Sequence, residues 1–172
     1  IEQDPTYHLF AGPGWADVLT NLPFVGLGLW GWRRARGAAA RVLTLGVLLT
    51  GFGSGYYHWS PSNETLVWDR LPMTLTFLPM TALLLGVWVD RRWTSRTLWP
   101  LTAFGLGSVV WWAATGDLRP YFLAQFGPAL LLVPAQISDR RIRPLLKPGV
   151  AYVAAKVCEA FDRAIYSGLG FS

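Results

Sequence analysis

With 172 residues, 52% of them hydrophobic and only 15% charged, the chain has the composition of membrane helices rather than of a soluble domain; ten tryptophans and eighteen glycines point the same way. Its net charge of +5 would suit nucleic acid or acidic lipid, but the basic residues fall in three clusters between apolar runs instead of along one face, which excludes a nucleic-acid groove. The single cysteine, Cys158, excludes an internal disulfide.

Six apolar runs follow one another along the chain, at 15–32, 42–59, 71–89, 98–114, 121–137 and 150–169. Asp17 stands at the expected start of the first. A hydrocarbon core of about 30 Å takes roughly 20 residues per crossing, so six crossings use most of the chain. The sequence therefore predicts an all-α, polytopic membrane helix bundle, a single transmembrane domain over residues 1–172. Pro23, Pro79, Pro128 and Pro134 fall inside spans, where neighbouring helices can satisfy the freed backbone groups. No secretory signal precedes the first run, since residues 1–14 lack both a basic start and an apolar stretch.

The connections set the expected orientation. Arg33, Arg34, Arg36 and Arg41 separate the first two runs, Arg91, Arg92 and Arg96 the third and fourth, and Arg140, Arg141, Arg143 and Lys147 the fifth and sixth. The other two connections carry one basic residue between them, Arg119, balanced by Asp117. Lys and Arg are retained in the cytoplasm during insertion, so the amino terminus, with Glu2 and Asp4, is expected outside. The competing reading is a water-soluble helical bundle, which would need charged stripes that the first five runs lack.

Four places put polar groups where they are costly. Ser54 and His58 lie one turn apart at the outer end of the second run, among Gly51, Gly53 and Gly55, which allow close helix approach. Asp69 and Arg70 stand where the third run begins, with Pro72 suited to a first helical turn. A short connection would bring His58 and Asp69 to similar depth. There His58 could ligate a metal, Asp69 hold or deprotonate a water, and Ser54 donate to an oxyanion. The bland alternative is an interfacial His and a helix-start ion pair, and one His is a weak zinc signal. Lys156, Glu159, Asp162 and Arg163 in the sixth run read first as a charge-compensated ladder orienting helices. Asn21, one turn from Asp17, reads as an interhelical hydrogen-bonding residue. His8 reads as a solvated residue.

The stretches 53–61, Gly-Ser-Gly-Tyr-Tyr-His-Trp-Ser-Pro, and 66–74, Leu-Val-Trp-Asp-Arg-Leu-Pro-Met-Thr, resemble the bacterial branch of the alkaline ceramidase family. That family belongs to a seven-helix hydrolase superfamily shared with the progestin and adipoQ receptors. Its signature is Ser-x-x-x-His in helix two, an Asp eleven residues later, and His-x-x-x-His in helix seven. Ser54, His58 and Asp69 match the first two parts. Weaker matches lie at 3–8, 17–24 and 155–162, so the resemblance covers nearly the whole chain. It implies a zinc-dependent hydrolase of lipid amides in a bacterial inner membrane. His58 would be a zinc ligand, Asp69 and Ser54 would be catalytic, and Asn21, Arg70 and Glu159 supporting.

Two departures accompany it. The helix-seven His pair is absent, and the connection between Phe10 and Asp17 is short for the bacterial relatives. The missing initiator Met and the apolar end at 168–172 point to a fragment lacking its seventh helix, which is then expected to bind zinc poorly and to be inactive. Calcium has no recognisable ligand cluster. Two other functions stay open: a receptor-like member of the same superfamily, and a transporter or proton channel using Asp69, Glu159 and Asp162. The second lacks the paired repeats of broken helices common in transporters.

Overall fold

The structure is a computed structural model that describes residues 18–142 and 146–161. Those residues form six α-helices in sequence: α1 (Leu22–Arg34), α2 (Ala38–Trp59), α3 (Asn63–Trp88), α4 (Arg91–Thr115), α5 (Arg119–Ser138) and α6 (Leu146–Ala160). All-helical architecture and helix order are as expected from the apolar runs.

Local chemistry explains the boundaries. Gly37 and Gly116 take positive φ, 84° and 75°, at the α1–α2 and α4–α5 connections, a conformation open to glycine at little steric cost. Asp90 caps α4 by accepting from the Arg92 N–H at 2.7 Å, and Asp117 accepts from the Arg119 N–H at 3.0 Å, each satisfying a donor the first helical turn leaves free. The largest difference from the sequence expectation is at α3, which begins at Asn63 rather than at 71. Ser62 and Thr65 form a reciprocal capping box that nucleates the helix eight residues earlier. Asp69, Arg70 and Pro72 are consequently inside α3, and Pro72 is not in its first turn.

With connections this short, successive helices run antiparallel. The arrangement has two ends. At one, Trp88 Nε1 donates to Ser138 Oγ at 2.8 Å and Arg141 Nη2 donates to the Val87 carbonyl at 2.9 Å, tying the close of α3 to the close of α5. Arg33, Arg34, Arg41, Arg91, Arg92 and Arg140 belong to this end. At the other, the start of α3 meets the close of α4 and the start of α5. Helix α3 is the hub, packing against α2, α4 and α5.

Glycines permit the close crossings. Gly46 of α2 lies against the backbone at Leu75 and Thr76, and Gly105 of α4 against Thr74 and Leu78. The buried apolar clusters are small, comprising Ala39, Ala82 and Leu98 at one place and Leu84, Ala135 and Ile142 at another. Several interior positions are hydroxyls that satisfy themselves locally. Thr74, Thr81 and Thr102 donate to the Leu71, Phe77 and Leu98 carbonyls at 2.7, 2.9 and 2.7 Å. Large apolar side chains instead populate the outside: Leu27, Phe52, Trp99, Val110, Leu123, Leu130 and Ile137 are all exposed.

Two helices, α2 and α3, are long and apolar enough to cross a membrane, with mean hydropathies of 1.3 and 1.6 in the qualifying windows. Only 17% of that window in α2 is buried, so its apolar surface is not accounted for by a protein core.

Candidate functional site

The α2–α3 corner is held by a dense set of short bonds. The Ser60 N–H donates to the Tyr56 carbonyl at 3.3 Å and closes α2. Thr65 Oγ1 donates to the Ser60 carbonyl at 2.8 Å, the Ser62 N–H donates to Thr65 Oγ1 at 2.9 Å, and the Thr65 N–H donates to Ser62 Oγ at 3.1 Å. The chain thus reverses in three residues, which keeps the end of α2 beside the start of α3.

The two helices then press together at Gly53. A side chain there would overlap the Trp68 carbonyl and approach the Pro72 ring to 3.1 Å. Proline has no N–H, so Pro72 leaves the carbonyl four residues earlier, that of Trp68, without its helical donor. That carbonyl is the one Gly53 abuts. Gly51 and Gly55 serve a different neighbour: Gly51 faces Val25 and the Asn21 carbonyl, and Gly55 faces Val18. The glycine cluster therefore seats α2 between α1 and α3.

These contacts fix which way α2 is turned. Leu49, Phe52, Tyr56 and Trp59, at helical spacing, form its exposed stripe. Ser54 and His58, one turn apart, lie away from that stripe and are half-buried, as is Asp69 on α3. The Tyr57 ring meets the His58 ring edge-on at 5.3 Å, and the Tyr57 hydroxyl is within electrostatic reach of both Asp69 and Arg70. His58, Tyr57, Asp69 and Arg70 are thus brought to one end of the fold. Ser54 sits one turn further in on the His58 side. A groove of about 440 Å³, lined by Val18, Leu22, Val25, Phe52, Tyr56 and Trp59, runs along the opposite, apolar side of α2 and includes none of the three signature residues.

Arg70 occupies an environment that the sequence does not announce. Its guanidinium lies 3.9 Å from the Trp112 ring centre and 5.0 Å from that of Tyr121, close enough for cation–π attraction to both. Tyr121 also donates to Met73 Sδ at 3.7 Å. Trp112 and Tyr121 are the site residues that sequence reasoning missed. The available signal was the Arg itself, which at membrane depth requires partners.

Asn21 is buried at the N-cap of α1 without a side-chain capping bond, and its carbonyl lies at the α1–α2 crossing, in keeping with an interhelical position. Glu159 and Lys156 belong to α6, but their side chains lie outside the described residues, as do His8, Asp17, Asp162 and Arg163 entirely. In the α4–α5 connection Arg119 Nη2 meets Asp117 Oδ2 at 2.8 Å.

Comparison with known proteins adds nothing to this geometry. No protein-family model, curated protein or solved structure matches the chain.

Among the described residues no group of three or more His, Cys, Asp or Glu side chains could hold a metal ion. The corner supplies one imidazole and one carboxylate, fewer than the three protein donors catalytic zinc takes. These residues do not by themselves fit zinc, and a metal here would need at least one further protein donor.

Proposed function

We propose that the chain is a multi-span membrane protein that hydrolyses the amide bond of an N-acyl lipid, with its working end at the α2–α3 corner. Membrane embedding is supported by the inverted distribution of side chains: large apolar groups outside, self-bonded hydroxyls inside, and an apolar α2 left largely uncovered. Six helices of 13 to 26 residues would make six crossings, the shortest completed by residues outside the described ends. The basic end would be cytoplasmic by the retention of Lys and Arg. The corner would then open to the non-cytoplasmic face, in a bacterium that of the inner membrane.

The observation carrying the catalytic reading is the seating of Gly53 against Trp68 and Pro72, which lays the end of α2, carrying Ser54 and His58, alongside the start of α3, carrying Asp69 and Arg70. Ser54 is a hydroxyl donor for the oxygen of the amide carbonyl as negative charge develops on it. Asp69 is the carboxylate to take a proton from the attacking water. His58 is the imidazole available to a zinc ion, which, when bound with its further donors, would supply Lewis acidity to the carbonyl. The buried threonines and close helix crossings would exclude bulk water from the acyl chains.

The test is metal analysis of the protein carrying its native carboxy-terminal sequence beyond residue 172, purified in detergent, together with fatty-acid release from ceramide. Stoichiometric zinc and release, both lost in His58→Ala, are the expected result. A protein without zinc, or His58→Ala with unchanged zinc and turnover, would end this reading. Retained zinc without turnover of any lipid amide would instead favour the receptor-like function.

A further inference from the structure

A second feature at the same end is independent of amide hydrolysis. Arg70 Nη1 is buried and has no hydrogen-bond partner among the described residues. Among the described residues the ion pairs are Asp117–Arg119 and Asp139–Arg141, and neither involves Arg70. Its guanidinium carbon lies over the Trp112 and Tyr121 rings, 3.9 and 5.0 Å from their centres. A guanidinium donates only in its own plane, so these ring contacts leave its edge donors to be satisfied, and burial keeps bulk water from doing so. The protein therefore holds a cation in a fixed orientation, with a donor unspent, near the end of the bundle where lipid headgroups would lie.

The surroundings repeat the pattern. Phe77, seven residues along α3 and hence on the same stripe as Arg70, packs edge-on against Tyr152 of α6 with ring centres 5.7 Å apart. The Tyr152 hydroxyl is likewise buried without a partner. Among the described residues, neither of these two polar groups along α3 finds a hydrogen-bond partner. Arginine meets oxyanions through parallel N–H bonds of a geometry lysine cannot reproduce, and contact with two aromatic rings holds that fork in place.

We propose that Arg70, clamped between Trp112 and Tyr121, is the recognition residue for a phosphate group entering the seam between α3 and α5. The proposal uses the membrane-embedded reading but not the catalytic one, since the ligand has no amide bond. The phosphate could belong to a lipid headgroup or be free in solution, and the measurement separates the two. Calorimetric titrations of the full chain in detergent would use inorganic phosphate, dihexanoylphosphatidate and, as a neutral control, dihexanoylglycerol.

Saturable binding of at least one phosphate compound, with the neutral control silent, is expected. Binding by phosphatidate alone assigns a headgroup, and binding by inorganic phosphate assigns the free anion as sufficient. Arg70→Gln should weaken the interaction at least tenfold, and Arg70→Lys, which keeps the charge but not the fork, severalfold. Should Arg70→Gln fail to fold, the Arg70→Lys comparison decides. No saturable binding of either phosphate compound, or equal affinity in the substituted proteins, would overturn the proposal and leave ordered water as the partner of Nη1. Loss of amide hydrolysis in His58→Ala with phosphate binding intact would separate the two functions.

Discussion

Gly53 lies against the one carbonyl of α3, that of Trp68, which Pro72 has deprived of its helical donor. The contact is a joint made of two complementary omissions, a missing side chain on one helix and a missing N–H on the other. It sets the distance between α2 and α3 at the level of the candidate site. Gly53→Ala must push the helices apart, at a cost of about 1–3 kcal/mol by the usual penalty for overpacking. A lowered thermal midpoint in detergent, with a parallel loss of any activity, is the expected outcome. An unchanged midpoint would show that the crossing yields freely.

The corner should depend on its cap. Ser62→Ala removes the acceptor for the Thr65 N–H and is expected to destabilise by about 1 kcal/mol. Ser62→Asp should recover most of that loss, because a carboxylate accepts the same bond. Thermal unfolding of the three proteins side by side checks both statements.

At the catalytic level, Ser54→Ala should lower kcat about 10²–10³-fold, the usual effect of deleting one oxyanion donor, with little change in KM. Asp69→Asn should cost about 10²–10⁴-fold and remove the acidic limb of the pH–rate profile. Equal losses in a variant that binds substrate normally place the roles in the transition state. Steady-state kinetics on a soluble N-acyl substrate distinguishes this from simple misfolding.

The Asp139–Arg141 pair makes a prediction about acid. Bonding from the Arg141 side chain and backbone holds the Asp139 carboxyl below its ordinary value of 3.8. A carboxylate with a depressed folded pKa contributes stability that is fully present above the ordinary value and disappears as pH falls through the depressed one. The difference in thermal midpoint between the native protein and Asp139→Asn should thus be constant above about pH 5 and close at lower pH. A difference that instead grows on acidification would contradict the pairing. Arg141 is exposed and Asp139 partly so, so screening by salt should shrink the difference throughout.

Orientation can be read chemically. In a Cys158→Ser background, a membrane-impermeant thiol reagent added to intact cells should label Ser62→Cys and spare Arg36→Cys. The reverse pattern would invert the bundle and put the corner in the cytoplasm.

Much of this architecture was legible because two physical demands act on the sequence at once. Apolar length marks each helix, and clustered Arg marks alternate ends, so the six helices occur in the expected order. The start of α3 was hidden because Glu64, Asp69 and Arg70 make residues 63–70 look like a connection; the capping box of Ser62 and Thr65 outweighs that polarity. The grouping of Ser54 and His58 on one side of α2 follows from their spacing. The aromatic clamp on Arg70 does not, because Trp112 and Tyr121 come from other helices and only the tertiary packing selects them among many similar rings. The glycines at 51, 53 and 55 were recognised as contact residues, but their division between two neighbouring helices emerges only from the packing of α2 against each.

The 22 residues of α2 span about 33 Å at 1.5 Å per residue, with an arginine-rich turn at one extremity and the Ser54–His58 pair toward the other. Changes made at opposite extremities share no partners, so their free energies should add. Substitution of the arginines at one end is therefore expected to leave the polar corner undisturbed. Substitutions in that corner are likewise expected to leave the arginine-rich end as it is.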